Sequence, residues 1–220
     1  FENRKPLSIF TALPVAYRTY NSQRATELFN LLAANRTAVL PTLFVLKTAF
    51  AELKESDHSR DALLAFIDPK IQATYQRRIN DAKKQSEETT RFWKKLMEKF
   101  MEMVPQMQAA GVTLLAGSDC GPYNSFVYPG EALHEELKLL VASGLTPIQA
   151  LQAATINAAK FMDADKFYGN IQKGKSSDMV MLDANPLKDI KAIDHIHMVL
   201  CNGQLYSKKD LTDMLQAIKH

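Results

Sequence analysis

The chain has 220 residues, enough for one large domain or two small ones. With 46% hydrophobic and 23% charged residues it has the balance of a globular protein, and no apolar run approaches the ~20 residues that cross a bilayer as a helix. The net charge is only +3, and acids and bases are interspersed, so neither a nucleic-acid nor a membrane partner is expected.

After a Pro-containing opening segment, Ala25, Leu28, Phe29 and Leu32 fall at i, i+3, i+4 and i+7, the spacing of an amphipathic helix. TAVLPTLFVL (37–46) reads as a short buried strand, limited by Pro41, with a loop from near Thr42. Residues 68–107 form a charge-rich helical stretch with Ile71, Tyr75 and Ile79, then Phe92, Leu96 and Phe100, as apolar positions. The intervening KKQSEETTR is polar all round, which predicts two helices, or one broken helix, projecting from the body.

Gly111 closes that stretch, and VTLLAGSD (112–119) follows as an apolar strand ending in a carboxylate. GPYNSFVYPG is a turn-rich loop, and Leu133, Leu137, Leu140 and Val141 mark a helix ending at Gly144. Thr146, Pro147 and Gln149 start the next helix with a capping box and Pro at its first position. Its inward face is expected at Leu151, Ala154, Ala158 and Phe161. DMVMLD and HMVLCNGQLY read as two strands, and Ser207 opens a last helix with Leu211, Met214, Leu215 and Ile218 on one side.

A strand that delivers Asp119 at its C-terminal tip is how an α/β barrel presents a metal ligand or a base. Cys120 and Cys201 form no CxxC and read as buried free thiols. No His base is placed beside Cys120 to make it a nucleophile. His195 and His197, at i and i+2 on a strand, share a face, but a solvated or locally hydrogen-bonded face is the better reading, and no metal is assigned to them. His58 is expected exposed on a loop, and His220 is terminal.

The order VTLLAGSDCG, TPIQALQAATINAAKFM, YGNIQKGKSSDMVMLDANPLKDI and VLCNGQLY closely resembles the C-terminal part of metal-dependent amidohydrolases, in the imidazolonepropionase-like and prolidase-like branch. The resemblance is strong over the second half and looser over the first. It implies an α/β fold: the C-terminal portion of a (β/α)8 TIM-type barrel plus strands of a small β-sandwich. On that reading 1–165 is a partial barrel with a helical insertion at 68–107, 166–206 are sandwich strands and 207–220 a C-terminal helix. Only two segments look like barrel strands where eight are needed, so the chain reads as the last part of a longer enzyme, starting just after the sixth strand.

The chemistry implied by the resemblance is hydrolysis of a C–N bond in a small-molecule cyclic amide or dipeptide-like amide by metal-activated water. The implied cofactor is a divalent metal, with zinc expected, as one or two ions in the full-length protein. Of the family's ligands only the last, the Asp after the eighth strand, carries over, onto Asp119, as metal ligand and proton shuttle. With one such residue, the chain alone is expected to be inactive. Tyr123, Asn124 and Tyr128 of the following loop are the candidate substrate contacts; Pro122 to Ser125 replace a His-Gly-containing pattern of relatives, which leaves the substrate class open. His134, in the family-like LHEEL stretch, is expected to make a polar contact that holds its helix near the barrel mouth. GNIQKGKSSD resembles the family's glycine-lysine turn; its glycines precede a strand, so it is no phosphate loop.

Two further readings stand beside the enzyme: a catalytically inactive remnant or scaffold with an interaction role, and a helical interaction module at 68–107. The polar stretch around Lys83 interrupts any heptad in the latter. Both ends of the stretch start near the C-terminal face of the barrel, so it is expected to extend over the mouth as a lid or a subunit contact; for the part nearest Met107 the alternative is the enlarged helix that follows strand seven. A homo-oligomer is compatible with the sequence, and compartment is left open.

Overall fold

The computed structural model describes residues 9–219. Two helices lead in, α1 (Ile9–Arg18) and α2 (Ser22–Ala34). The opening segment is thus helical despite Pro14, and Leu13 and Tyr17 pack on the main core. Asn21 caps α2 by accepting from the Arg24 N–H, and Phe29 is the residue of the expected face that is fully buried.

The centre of the fold is a parallel pair, β1 (Ala38–Val39) and β2 (Thr113–Leu114), with Ala38 opposite Thr113 and Val39 opposite Leu114. The Leu115 N–H extends the ladder to the Val39 carbonyl at 2.9 Å. The strand ends before Thr42, as Pro41 predicted, because Pro41 has no donor and Thr42 turns the chain at φ 48°. Beyond Thr42 the expected loop is instead a helix, α3 (Leu43–Leu46), with Leu43, Phe44 and Val45 buried, and it continues as a π-helical turn, Lys47–Ala51. A short apolar run fits either element, and the left-handed Thr42 decides for the helix.

A 3₁₀ turn (Ala62–Phe66), α4 (Pro69–Lys83) and α5 (Glu87–Ala109) complete the crossover to β2. Asp68 and Ser86 cap the two helices, so the polar stretch divides as its composition predicted. The expectation of a projecting stretch fails for α5. Its Trp93, Leu96, Met97, Val104 and Met107 are buried in the main core with Val112 and Leu114, each contributing about 1.5–3 kcal/mol of hydrophobic stabilisation. Phe92 and Phe100 pack on the same core, Phe92 edge-on to Tyr17 at 5.9 Å. A helix so deeply seated is a wall, and no part of it is a lid.

Next come α6 (Glu131–Ala142), α7 (Pro147–Ala154) and α8 (Ile156–Phe161). α6 stops as expected: Gly144 takes φ 112°, while its N–H and that of Leu145 return to the Val141 and Leu140 carbonyls. The capping box of Thr146 and Gln149 is present. The expected inward face holds for the first half of the segment and fails for the second. Before Thr155 the expected Leu151 and Ala154 do pack on the main core, beside the fully buried Ala150 and Ala153; after it Ala159 is buried and Phe161 is 62% exposed, because Thr155 (φ −124°, ψ −94°) breaks the helix and resets its phase.

The C-terminal part is an antiparallel meander of β3 (Met179–Leu182), β4 (Ile196–Cys201) and β5 (Gln204–Ser207), closed by α9 (Lys208–Ala217). HMVLCNGQLY is therefore a hairpin and not one strand; Asn202 and Gly203, at φ 50° and 76°, supply the left-handed pair that a type I′ turn requires. Ser207 and Asp210 form a capping box on α9, whose Met214, Leu215 and Ile218 are exposed. Among the described residues the strands make two sheets, of two and three strands, short of the eight of a closed barrel.

Between α8 and β3, the Lys175 ammonium donates to the Asp165 and Tyr168 carbonyls and to Asn170 Oδ1, knotting the glycine-lysine turn. Gly169 has φ 96°, and a Cβ there would lie 2.8 Å from Ala159 Cβ and 2.9 Å from Ile156 Cα. Gly169→Ala is expected to destabilise the chain by more than about 1 kcal/mol. Denaturant unfolding checks this, and an unchanged midpoint would contradict it.

Candidate active site beyond the second parallel strand

Where the β2 ladder ends, neighbouring helices take over its polar groups. The Ala116 N–H donates to the Ala153 carbonyl at 3.1 Å, and the Asn157 side chain donates to the Leu114 carbonyl at 3.1 Å. Asp119 follows, exposed and in a left-handed conformation, φ 48°, that Asp tolerates better than most residues. Its carbonyl accepts the Asn124 side-chain amide at 2.6 Å. The Asn124 N–H in turn donates to the Gly121 carbonyl at 3.0 Å, and the Asn124 carbonyl accepts from Val127 at 3.2 Å. This loop is therefore a closed set of local hydrogen bonds, and it leaves the Asp119 carboxylate in the solvent.

The other sequence candidates divide. Tyr123 is 75% exposed beside this loop. Asn124 spends its amide on the Asp119 backbone. Tyr128, the third candidate substrate contact, has a buried ring, and its hydroxyl donates to Asp61 Oδ2 at 2.5 Å. Burial, then the bond to Asp61, push that phenol far above its ordinary range. Both thiols were expected buried and both are exposed, Cys120 because it follows the strand end on the mouth loop and Cys201 because it adjoins the hairpin turn.

The histidines are mostly structural. His134 Nδ1 lies 3.2 Å from Asp194 Oδ1, while Lys138 reaches Asp194 Oδ2 at 2.6 Å, so α6 is held to the 3₁₀ turn Ile190–Asp194 by the polar contact expected of it. His195 ends that turn and is not on the strand, whereas His197 Nδ1 sits 2.9 Å from Asp183 Oδ1. The two do not form the strand pair that the spacing suggested. His220 lies outside the described residues. His58 is no exposed loop residue: it is half-buried, stacks on Phe126 at 3.5 Å with planes 4° apart, and its Nε2 is buried without a hydrogen-bond partner. Burial lowers the His58 pKa, opposed by the charges of Asp61 and Asp57.

Two features were missed in the sequence. Glu136 is completely buried, and its Oε2 accepts the Phe44 N–H of α3 at 2.7 Å while Oε1 has no partner. Burial raises its pKa above the ordinary 4.5, opposed by the Phe44 and Leu43 N–H groups. The signal was available, since Ala132, Glu136 and Leu140 lie at i, i+4 and i+8 of one inward face. The second feature is α4: its Tyr75 and Ala82 pack with Leu53, Phe126 and Tyr128, with Tyr75 and Phe126 rings 5.0 Å apart. Packing against the loop that follows Asp119 falls to α4, through Phe126 and Tyr128.

The model of the amidohydrolase family matches residues 35–206, most of the chain and all of this site. The chain belongs to the amidohydrolase family. Among curated relatives, the imidazolonepropionase of Fusobacterium nucleatum is 31% identical over 112 residues, 47% of this chain and 25% of that protein. The ochratoxinase of Aspergillus niger is 36% identical over 84 residues, 37% of this chain and 16% of that protein. The chain thus spans a quarter or less of the length of these relatives. Solved structures agree on the fold. A bottromycin amidohydrolase is 24% identical with a TM-score of 0.65, over 82% of this chain and 40% of that one. A prolidase of Bifidobacterium longum, described as putative, is 25% identical with a TM-score of 0.53, over 83% and 39%. These place the chain in the imidazolonepropionase-like and prolidase-like branch of the family.

The family is generally metal-dependent. Among the described residues no three His, Cys, Asp or Glu side chains converge to hold an ion, whereas a catalytic zinc takes three protein ligands. The donors described here do not make a metal site by themselves.

The buried Glu136 gives a pH test. Its folded pKa is raised, so its proton is held more tightly folded than unfolded; the stability this adds is complete below the unfolded value of about 4.3 and is lost as pH rises through the folded pKa. Glu136→Gln, which keeps an acceptor for Phe44, is expected to lose less stability than wild type over that rise. Unfolding free energies of the two proteins measured across the acid-to-neutral range should diverge, and parallel curves would contradict the assignment.

Proposed function

We propose that this chain is the C-terminal part of a metal-dependent amidohydrolase that hydrolyses a C–N bond of a cyclic amide or dipeptide-like amide. The observation that carries the reading is Asp119: an exposed carboxylate just beyond a parallel strand, held by its own loop, inside the segment matched to the family. Loops after the strands are where a barrel of this kind builds its site.

A divalent ion, zinc by family likeness, would polarise the scissile carbonyl and make bound water acidic enough to ionise near neutral pH. Asp119 is the one residue of this chain proposed to ligate it, with the remaining ligands supplied by other parts of the full-length protein. In the same proposal the Asp119 carboxylate accepts the proton of the attacking water and returns it to the leaving amine. Asn124 restrains the Asp119 backbone, and α4 with Phe126 and Tyr128 shields the site from one side. An exposed Tyr123 is left to meet substrate, and the domain division follows the family: barrel residues to about 165, then sandwich strands, then the last helix.

Asp119→Asn in the full-length protein keeps the shape but cannot take up a proton at neutral pH. The expected loss is at least ~10² in kcat with KM little changed. Steady-state kinetics on an amide substrate checks this. A variant with near-normal kcat would remove Asp119 from the chemistry and favour the non-catalytic scaffold.

A further inference from the structure

The loop between Asp119 and α6 is exposed at its ends and buried in its middle, where Ser125, Phe126, Val127 and Tyr128 are all covered. Phe126 stands at φ 64°, a left-handed conformation that strains a bulky residue and persists only where the surroundings enforce it. The enforcing segment is 58–66. The His58 ring stacks on Phe126 at 3.5 Å, and the Tyr75 ring of α4 lies 5.0 Å from it. Three residues on from His58, Asp61 accepts the Tyr128 hydroxyl on Oδ2 at 2.5 Å and the Leu63 N–H on Oδ1 at 3.0 Å. The first of these is a short O–H···O bond.

The segment that grips the loop is itself fixed. The Asp61 N–H donates to the His58 carbonyl at 3.2 Å, closing a turn that presents both side chains to the loop. The Gln72 amide of α4 donates to the Leu64 and Ile67 carbonyls at 3.0 and 2.8 Å, which ties the 3₁₀ turn after Asp61 to that helix. From Tyr128 the hydrogen bonds lead on to Asp119. The Tyr128 carbonyl accepts the Ala132 N–H of α6 at 3.0 Å, and the neighbouring Val127 N–H donates to the Asn124 carbonyl at 3.2 Å. The Asn124 amide then donates to the Asp119 carbonyl at 2.6 Å. A shift of the loop at Tyr128 is thereby passed to the Asp119 backbone, which aims an exposed carboxylate.

We propose that Asp61 and Tyr128 are positioning residues for the reaction at Asp119: their bond, backed by the His58–Phe126 stack, holds the loop in the strained form that aims the carboxylate. This role rests on the proposed function, whereas the restraint on the loop rests on the bonds alone. Neither residue has to touch substrate. A reacting group must be held within about 0.5 Å of its productive place, and a misplacement of about 1 Å can cost about a hundredfold in rate.

The test is made on the full-length protein with two readouts. Tyr128→Phe keeps the buried ring and removes the bond. Backbone hydrogen exchange over 121–128, read by mass spectrometry, is expected to quicken by about fivefold in this variant. On the amide used for Asp119→Asn, kcat should fall by about tenfold with KM little changed. A bond of purely structural value would lower Tm and leave the kcat of the folded enzyme as it was. Asp61→Asn can still accept from Leu63 and pair with the phenol, so it should keep kcat within about twofold of wild type. Asp61→Ala should match Tyr128→Phe, and the double variant should lose no more than either alone. If Asp61→Ala does not fold, Tyr128→Phe and Asp61→Asn decide. Unchanged exchange in Tyr128→Phe, or a loss of kcat in Asp61→Asn as large as in Tyr128→Phe, would overturn the positioning role. The proposed function fails if Asp119→Asn keeps its kcat; the positioning role fails separately if Asp119→Asn loses kcat and Tyr128→Phe does not.

Discussion

The interaction on which the rest of the structure depends is the bond from the Phe44 N–H to the buried carboxylate of Glu136. The chain leaves β1 through Pro41 and a left-handed Thr42 into a short helix whose first amides have no partner within it. A carboxylate from α6, the helix that follows the Asp119 loop, meets them in the core. One buried side chain thus joins the segment after β1 to the segment after β2. Removing it would leave a donor unpaired in the interior, at a cost of about 1–3 kcal/mol. It would also release two neighbouring loops from a common reference.

Around that bond, the layers serve distinct purposes. α5 and the β1–β2 pair form the rigid floor, α7 and α8 complete the hydrogen bonding of the β2 end, and α4 lies over the Asp119 loop. Polar residues do the fine placement. Asn124 restrains Asp119, Asp61 anchors Tyr128, and Asp194 gathers His134 and Lys138. Each is a hydrogen bond or ion pair, either between segments distant in sequence or local to a turn, and each constrains a loop that hydrophobic packing alone would leave free.

Much of this was legible in the sequence, and the reasons for the rest are physical. Local signals read well: the Thr146–Gln149 box, the Gly144 stop and the Ser207 cap depend on residues within one turn. The family resemblance, carried by the second half of the chain, led to the amidohydrolase family itself. Errors arose where tertiary context decides. LFVL is buried in either a strand or a helix, and only the backbone at Thr42 chooses between them. The stretch at 68–107 reads as a projection because its charges are obvious, whereas the apolar face of α5 finds its partners in the adjoining β2 and, far along the chain, in α2 and the π-helical turn. His58 and Phe126 are 68 residues apart, and no periodicity brings such a pair together. The Asn202–Gly203 pair is a local turn signal, but it lies inside an apolar run that reads as one continuous strand.

For the function, the central claim is that this chain contributes a single working carboxylate to a metal site that other parts of the protein complete. The most direct measurement is a crystal structure of the full-length protein loaded with zinc, with the ion located by anomalous scattering. The account predicts an Asp119 carboxylate oxygen at about 2–3 Å from the ion or from the water bound to it. An ion held entirely by other residues, with Asp119 and its water out of hydrogen-bond reach, would contradict it.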